Sequence, residues 1–356
     1  MENRIERLLD LLRRSSLPEA VLISDPTDVC YLSGLHSSNC VLLISPEMRL
    51  LFTDSRYTLK AQTVTAGRFT VLEENRDLFQ CVRHELNERG VERLAVQDEH
   101  LTLESYLRLS NGMAQTFVPT GKLLQNLRSV KEPEELEKIR QAQRITDRAF
   151  LALLPLIREG VCEKDLALEL EFLLKRGGAD ALSFDTIIAS GENGAMPHAV
   201  PGQRKFRKGD LITMDFGCTY QGYCSDMTRT VALGAPSEEL RRIYQIVLEA
   251  HCRSMATLRP GANTREVDQV ARQYIADAGY GEYFGHGLGH GVGMEIHELP
   301  LLSYRYDASL QAGQVVTVEP GIYVPGVGGV RIENMCFITE TGYEDITGSD
   351  KNLIIL

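Results

Sequence analysis

The run from Asp210 to Leu233, DLITMDFGCTYQGYCSDMTRTVAL, holds two apolar segments on either side of a glycine-bounded turn. Asp210–Phe216 and Cys224–Leu233 read as strands, and Gly217 to Gly222 reads as the turn that folds them into a hairpin. Asp215 and Asp226 then face each other, two carboxylates set in apolar β-structure. Gln314–Val318 and Gly329–Thr339 repeat the strand pattern further along. Helical patterns precede each pair of strands. One runs from Glu134 to about Ile157, opened by Pro133, and one from Lys164 to Lys175, closed by Gly177 and Gly178. A third is capped by Ser237 and runs to Leu258, and a fourth is capped by Thr264 and runs to Ala278. Helices followed by hairpin strands predict an α+β layer. The recurrence of the pattern over 134–233 and 237–339 hints at an internal duplication.

The first third of the chain differs. Arg4–Arg13 carries apolar residues at helical spacing, and Ala20–Ile23, Cys40–Ile44, Leu50–Thr53 and Leu94–Val96 are short apolar runs. Ser55–Ala66, Leu78–Arg89 and Leu101–Leu109 fit helices, so strands and helices alternate and an α/β domain is predicted. The polar stretch from Asn126 to Glu134 marks the boundary, giving domains 1–127 and 128–356. A chain of 356 residues exceeds the roughly 250–300 at which a single core stops growing.

Composition narrows the function. Thirty-eight basic residues stand against 49 acidic ones, a formal charge of −11, which disfavours a phosphate backbone as partner. No segment approaches the ~20 apolar residues of a membrane span, and the charged start reads as an amphipathic helix and not as a signal peptide. The eight cysteines include no C-x-x-C pair, which fits reduced thiols in a cytoplasmic protein.

Three glycine-rich patches carry metal-capable side chains. The first holds Asp215 and Asp226. The second, FGHGLGHGVGMEIH, holds His286, His290 and His297. The third runs VEPGIY to VRIEN and holds Glu319, Tyr323, Arg331 and Glu333. Each has an ordinary reading on its own: Asp215 as a turn residue, Gly-His-Gly as a loop, Glu333 as half of an ion pair with Arg331. Four carboxylates and an imidazole beside apolar strands are costly to bury without compensating charge. Divalent cations would provide it, and an oxygen-rich set with one imidazole suits Mn, Co or Zn.

Taken together, these motifs resemble the pita-bread metallopeptidases, in the branch of Xaa-Pro aminopeptidases and prolidases. SFDTIIASG (183–191) followed by Met196-Pro197-His198 extends the likeness, as do YLSG (31–34) and FTDSRY (52–57), which resemble a creatinase-like N-terminal domain. The resemblance implies an α/β creatinase-like domain followed by an α+β pita-bread catalytic domain. It implies two divalent metal ions per subunit, manganese foremost, held by Asp215, Asp226, His290, Glu319 and Glu333, with Asp226 and Glu333 bridging. His198, His297 and Glu319 would be catalytic; His286, Tyr323 and Arg331 would contact substrate or order the ligands. Asn334 departs from the family's usual Asp, so altered hydrogen bonding is expected there without loss of an ion. Cys218 and Cys224 match no ligand position. The implied activity is removal of the N-terminal residue from peptides with proline second, by a homodimer, with the aminopeptidase preferred over the dipeptidase. A methionine aminopeptidase-like exopeptidase, a metal-free creatinase-like hydrolase and a binding module are the alternatives.

Overall fold

A computed structural model describes residues 2–111 and 114–356. The chain divides into two compact units, Met1–Leu127 and Arg128–Leu356. The first unit is built on a six-stranded mixed sheet. Its strands lie in the order Thr70–Glu73, Met48–Thr53, Cys40–Ser45, Val21–Ile23, Arg93–Val96 and Thr116–Pro119. Leu22, Leu43, Phe52, Val82, Leu86 and Leu94 fill its core, so the alternation of strands and helices does produce an α/β layer.

Several elements of this unit lie outside the sequence expectations. The helix Pro26–Ser33 is capped by Asp25, whose side chain accepts from Thr27 N and Asp28 N, and it ends at Gly34 with φ 83°. Asp28 to Ser33 are all buried, so the helix lacks the polar face that periodicity would detect. The helix Leu123–Ser129 takes in the start of the polar stretch 126–134 read as a boundary.

The second unit pairs helices with antiparallel sheet twice. Helices Pro133–Leu153 and Glu163–Arg176 pack on the strands Ile187–Ser190, Leu211–Phe216 and Met227–Ala232. Helices Glu238–Met255 and Thr264–Asp277 pack on the second sheet, which contains Gly289–Gly291, Val315–Val318 and Asn334–Ile338. The first helix stops short of Ile157 because Pro155 cannot donate the next backbone hydrogen bond, and a 3₁₀ turn Leu154–Leu156 follows. The cap of the fourth helix is Asn263 instead of Thr264: Asn263 Oδ1 accepts from Arg265 N and Glu266 N. Among the described residues no helix is long and apolar enough to cross a membrane.

Two strands expected to be continuous are broken. Cys224–Leu233 becomes Tyr223–Cys224 and Met227–Ala232, leaving Ser225 and Asp226 off the ladder. Gly329–Thr339 becomes Gly328–Arg331 and Asn334–Ile338, leaving Ile332 and Glu333 off it. At the first break the Ser225 carbonyl crowds Gly217 so closely that a Cβ there would lie 2.0 Å from it, and Ser225 Oγ takes the Cys218 N–H. At the second, the buried Arg229 donates to the carbonyls of Thr228 and Glu333 and to Asn334 Oδ1. Asn334 Nδ2 binds the Asp345 carboxylate, so the substituted position belongs to this brace.

His251 sits in the core between the second helix pair, with no side-chain exposure and no hydrogen-bond partner for either ring nitrogen among the described residues. Burial holds its pKa well below 6.5. As pH falls below 6.5 the unfolded chain takes up a proton that the folded chain refuses, so stability declines. This group contributes at most about 1.4 kcal/mol per pH unit. His251→Leu is expected to flatten the loss of stability between pH 7 and pH 5. Denaturant midpoints of both proteins at the two pH values check this; parallel declines would contradict it.

Candidate metal centre and its cleft

All ten side chains singled out from the sequence line one cleft of about 960 Å³ in the second unit. Asp215 comes from the strand Leu211–Phe216, Asp226 and Glu333 from the two strand breaks, and His290 from the short strand Gly289–Gly291. Glu319 follows the strand Val315–Val318. Close approach is possible because Gly289 has backbone of Thr317 where a side chain would stand: a Cβ there would lie 2.1 Å from the Thr317 carbonyl oxygen.

Donor atoms of Asp226, His290 and Glu333 lie within 4.8 Å of one another. His290 Nε2 is 3.5 Å from Asp226 Oδ2 and 3.4 Å from Glu319 Oε1. Its Nδ1 is 3.0 Å from the Gly291 carbonyl oxygen, which can only accept, so Nδ1 carries the proton. Nε2 therefore presents a lone pair to two carboxylates. Burial, with His297 beside it, pushes the His290 pKa down to about 4, so the ring stays neutral. Asp215 Oδ1 and Glu333 Oε1 are buried and have no hydrogen-bond partner among the described residues. Burial and then Asp215 push Glu333 up to about 8, and burial and then Glu333 raise Asp226 and Glu319. Converging lone pairs with no donor among them fit a divalent cation.

The surrounding groups are shared out differently from the sequence reading. Arg331 binds Asp215 Oδ2 at 2.6 Å and leaves Glu333 to Thr228, whose hydroxyl donates to Glu333 Oε2 at 2.7 Å. The strand ends at Arg331, so the period that would place residues 331 and 333 on one face lapses there. Arg331 also donates to Tyr323 Oη, and Tyr323 lies 2.9 Å from His286 Nε2. His286 Nδ1 faces the Gly287 carbonyl, so its Nε2 accepts the tyrosine proton and a chain runs from Asp215 through Arg331 and Tyr323 to His286. His297 stacks edge-on against His290 with ring centroids 4.4 Å apart, and both His198 and His297 are exposed in the cleft.

The profile of metallopeptidase family M24 matches residues 137–340, and that of the creatinase/prolidase N-terminal domain matches residues 4–130. The chain belongs to metallopeptidase family M24. An uncharacterized peptidase of Bacillus subtilis is 42% identical over 99% of this chain and 100% of its own length. An Xaa-Pro dipeptidase from Bacillus anthracis is 40% identical with a TM-score of 0.96, covering 100% of this chain and 99% of that one. An X-Pro aminopeptidase from Thermotoga maritima is 38% identical with a TM-score of 0.91, covering 99% and 100%. The creatinase-like α/β domain and the pita-bread α+β domain expected from the motifs are both present. A divalent metal is the cofactor that M24 membership implies for this cleft.

Three supporting residues of this M24 site escaped the sequence reading. Thr228 holds Glu333. Thr317 Oγ1 accepts from His290 N and donates to Glu319 Oε1 at 3.4 Å. Glu298 is buried beside Lys131 and Arg128, and its Oε1 accepts from Met294 N and Glu295 N, fixing the turn that carries His297. The two threonines stand two residues from a ligand within β-rich runs, where a hydroxyl is indistinguishable from ordinary strand composition. Cys218 and Cys224 are buried; burial pushes the Cys224 thiol up to about 12, which keeps it protonated and inert.

Proposed function

We propose that this M24 metallopeptidase hydrolyses the Xaa-Pro bond and releases the N-terminal residue of peptides with proline second. The observation that carries the reading is the set of unpartnered carboxylate oxygens and the His290 lone pair gathered at one end of an open cleft. Asp215, Asp226, His290, Glu319 and Glu333 would hold a pair of divalent ions, manganese foremost, with Asp226 and Glu333 shared. Such ions supply Lewis acidity, which lowers the pKa of water and offsets charge on a carbonyl oxygen.

The chain's own side chains account for the rest. Glu319 takes the proton of the attacking water. Proline nitrogen has no hydrogen and leaves only once protonated. His198 and His297, exposed on the cleft wall, serve to donate that proton or to hold the carbonyl oxygen. The Asp215–Arg331–Tyr323–His286 chain keeps Asp215 aimed at the ions, as buried partners of ligands do. A cleft of about 960 Å³ has room for a dipeptide or for a longer peptide. Eight cysteines, none in a C-x-x-C pair, support a cytoplasmic location, and the family likeness supports a homodimer.

Turnover of Ala-Pro, Met-Pro, Ala-Pro-Ala and Met-Ala, each with Mn and with Co, tests the reading. Cleavage of the three proline peptides and not of Met-Ala is expected. Preference for Met-Ala would replace it with the methionine aminopeptidase reading, and refusal of Ala-Pro-Ala alone would restrict it to dipeptides.

A further inference from the structure

His198 makes no hydrogen bond of its own among the described residues, so its place in the cleft is the place of its loop. That loop runs from the end of the strand Ile187–Ser190 to Gly202, and one side chain ties both ends. Glu163, wholly buried, accepts at Oε1 from Ser190 N (2.8 Å), Ser190 Oγ (2.7 Å) and Asn193 Nδ2 (3.1 Å). Its Oε2 accepts from Asn193 Nδ2 (3.1 Å) and from Gly202 N (3.1 Å). Backbone bonds from Glu163 N to Arg204 O and from Lys164 N to Gly202 O fix the departing segment beside it.

The middle of the loop is held from the metal side. Arg331 Nη1 reaches the Pro197 carbonyl at 3.4 Å, and Gly194 lies so close to Gly329 that a Cβ on Gly329 would be 2.0 Å from the Gly194 oxygen. Arg204 bonds Ser190 Oγ at 2.7 Å and pairs with Asp210, which places a cation one hydrogen bond from the buried carboxylate. A carboxylate taken fully out of water is kept only where hydrogen bonds replace its hydration. Here every donor comes from the two ends of the loop that bears His198.

We propose that Glu163 is a positioning residue for catalysis: a clasp that closes the 190–202 loop and thereby sets His198 against the scissile bond. The inference rests on the proposed substrate-side role of His198. Glu163→Gln keeps the shape but turns an NH₂ toward N–H donors, so at least one tie is lost.

The test is a double-mutant cycle on the metal-loaded enzyme with Ala-Pro, reading kcat, KM, metal content and melting temperature. His198→Ala is expected to lower kcat by roughly 10²–10⁴-fold, the size of general acid–base assistance, with metal content kept. Glu163→Gln is expected to lower kcat about 10–100-fold, as loss of a supporting partner does, with metal content kept. The double variant should be no slower than His198→Ala alone, because the clasp acts through that histidine. Multiplying effects in the double variant, or a Glu163→Gln enzyme with wild-type kcat, would overturn the clasp while leaving the function intact. Full turnover by His198→Ala would overturn the role of the histidine itself, and the clasp with it. If Glu163→Gln fails to fold, Asn193→Ala removes one donor and completes the same cycle with the same expected outcomes.

Discussion

Glu333→Ala is expected to abolish hydrolysis of Ala-Pro and to strip the protein of divalent metal. Glu333 stands in a strand break, with Oε2 fixed by Thr228 and Oε1 bare toward Asp226 and His290. On the proposed reading its removal takes away a shared anionic ligand, and the adjacent Asn334, turned toward Asp345, offers no replacement. A loss of at least about 10²–10³-fold in kcat is expected, the size associated with one group that stabilises transition-state charge. Metal analysis of the purified variant decides the cause. Wild-type metal content with lost activity would show that Glu333 acts on substrate and not as a ligand.

The second large effect is on stability. Without ions, the acid cluster is a burden: burial and mutual repulsion push Glu333 from an ordinary 4.5 up to about 8, and raise Asp226 and Glu319 as well. A carboxyl whose folded pKa is raised contributes fully below its unfolded pKa, and the contribution fades as pH rises. The EDTA-treated protein should therefore become less stable from about pH 4.5 toward pH 8 through these groups. Ions replace the protons, so their benefit should grow over the same range. At a thousandfold excess over Kd the gain is about 4 kcal/mol, a rise of roughly 8–16 °C in Tm for a unit of this size. Melting curves at pH 6 and pH 8, with EDTA and with Mn, give the comparison. An ion effect that is equal at both pH values, or absent, would remove the cluster from the list of ion sites.

Much of this site was readable before any coordinates, because its residues come in patches that glycine punctuates. Asp215, Asp226, His286, His290, His297, Glu319, Tyr323, Arg331 and Glu333 all stand in such patches, and they do meet in one cleft. What the sequence hid was the division of partners. Period-two reasoning put Arg331 and Glu333 side by side, and only the break at Ile332 shows why Arg331 turns to Asp215 instead. Glu163 was hidden for a different reason. It opens a helix, where an acid is expected from the helix dipole alone, and nothing local says that its carboxylate faces Ser190, Asn193 and Gly202. In the first unit, the helix Pro26–Ser33 was missed because burial on all sides erases the polar stripe that marks a helix.

The interruptions at Asp226 and Glu333 separate two duties that a regular strand would combine. Ladder pairing is done by the main chain of the neighbours, from Met227 onward and from Asn334 onward, while Asp226 and Glu333 stand between the paired segments. A lineage that abandoned peptide cleavage could exchange those acids for neutral residues and keep its architecture whole. The same independence makes this chain a convenient starting point for an inert scaffold that still folds, with the old reaction chamber free to be lined for another guest.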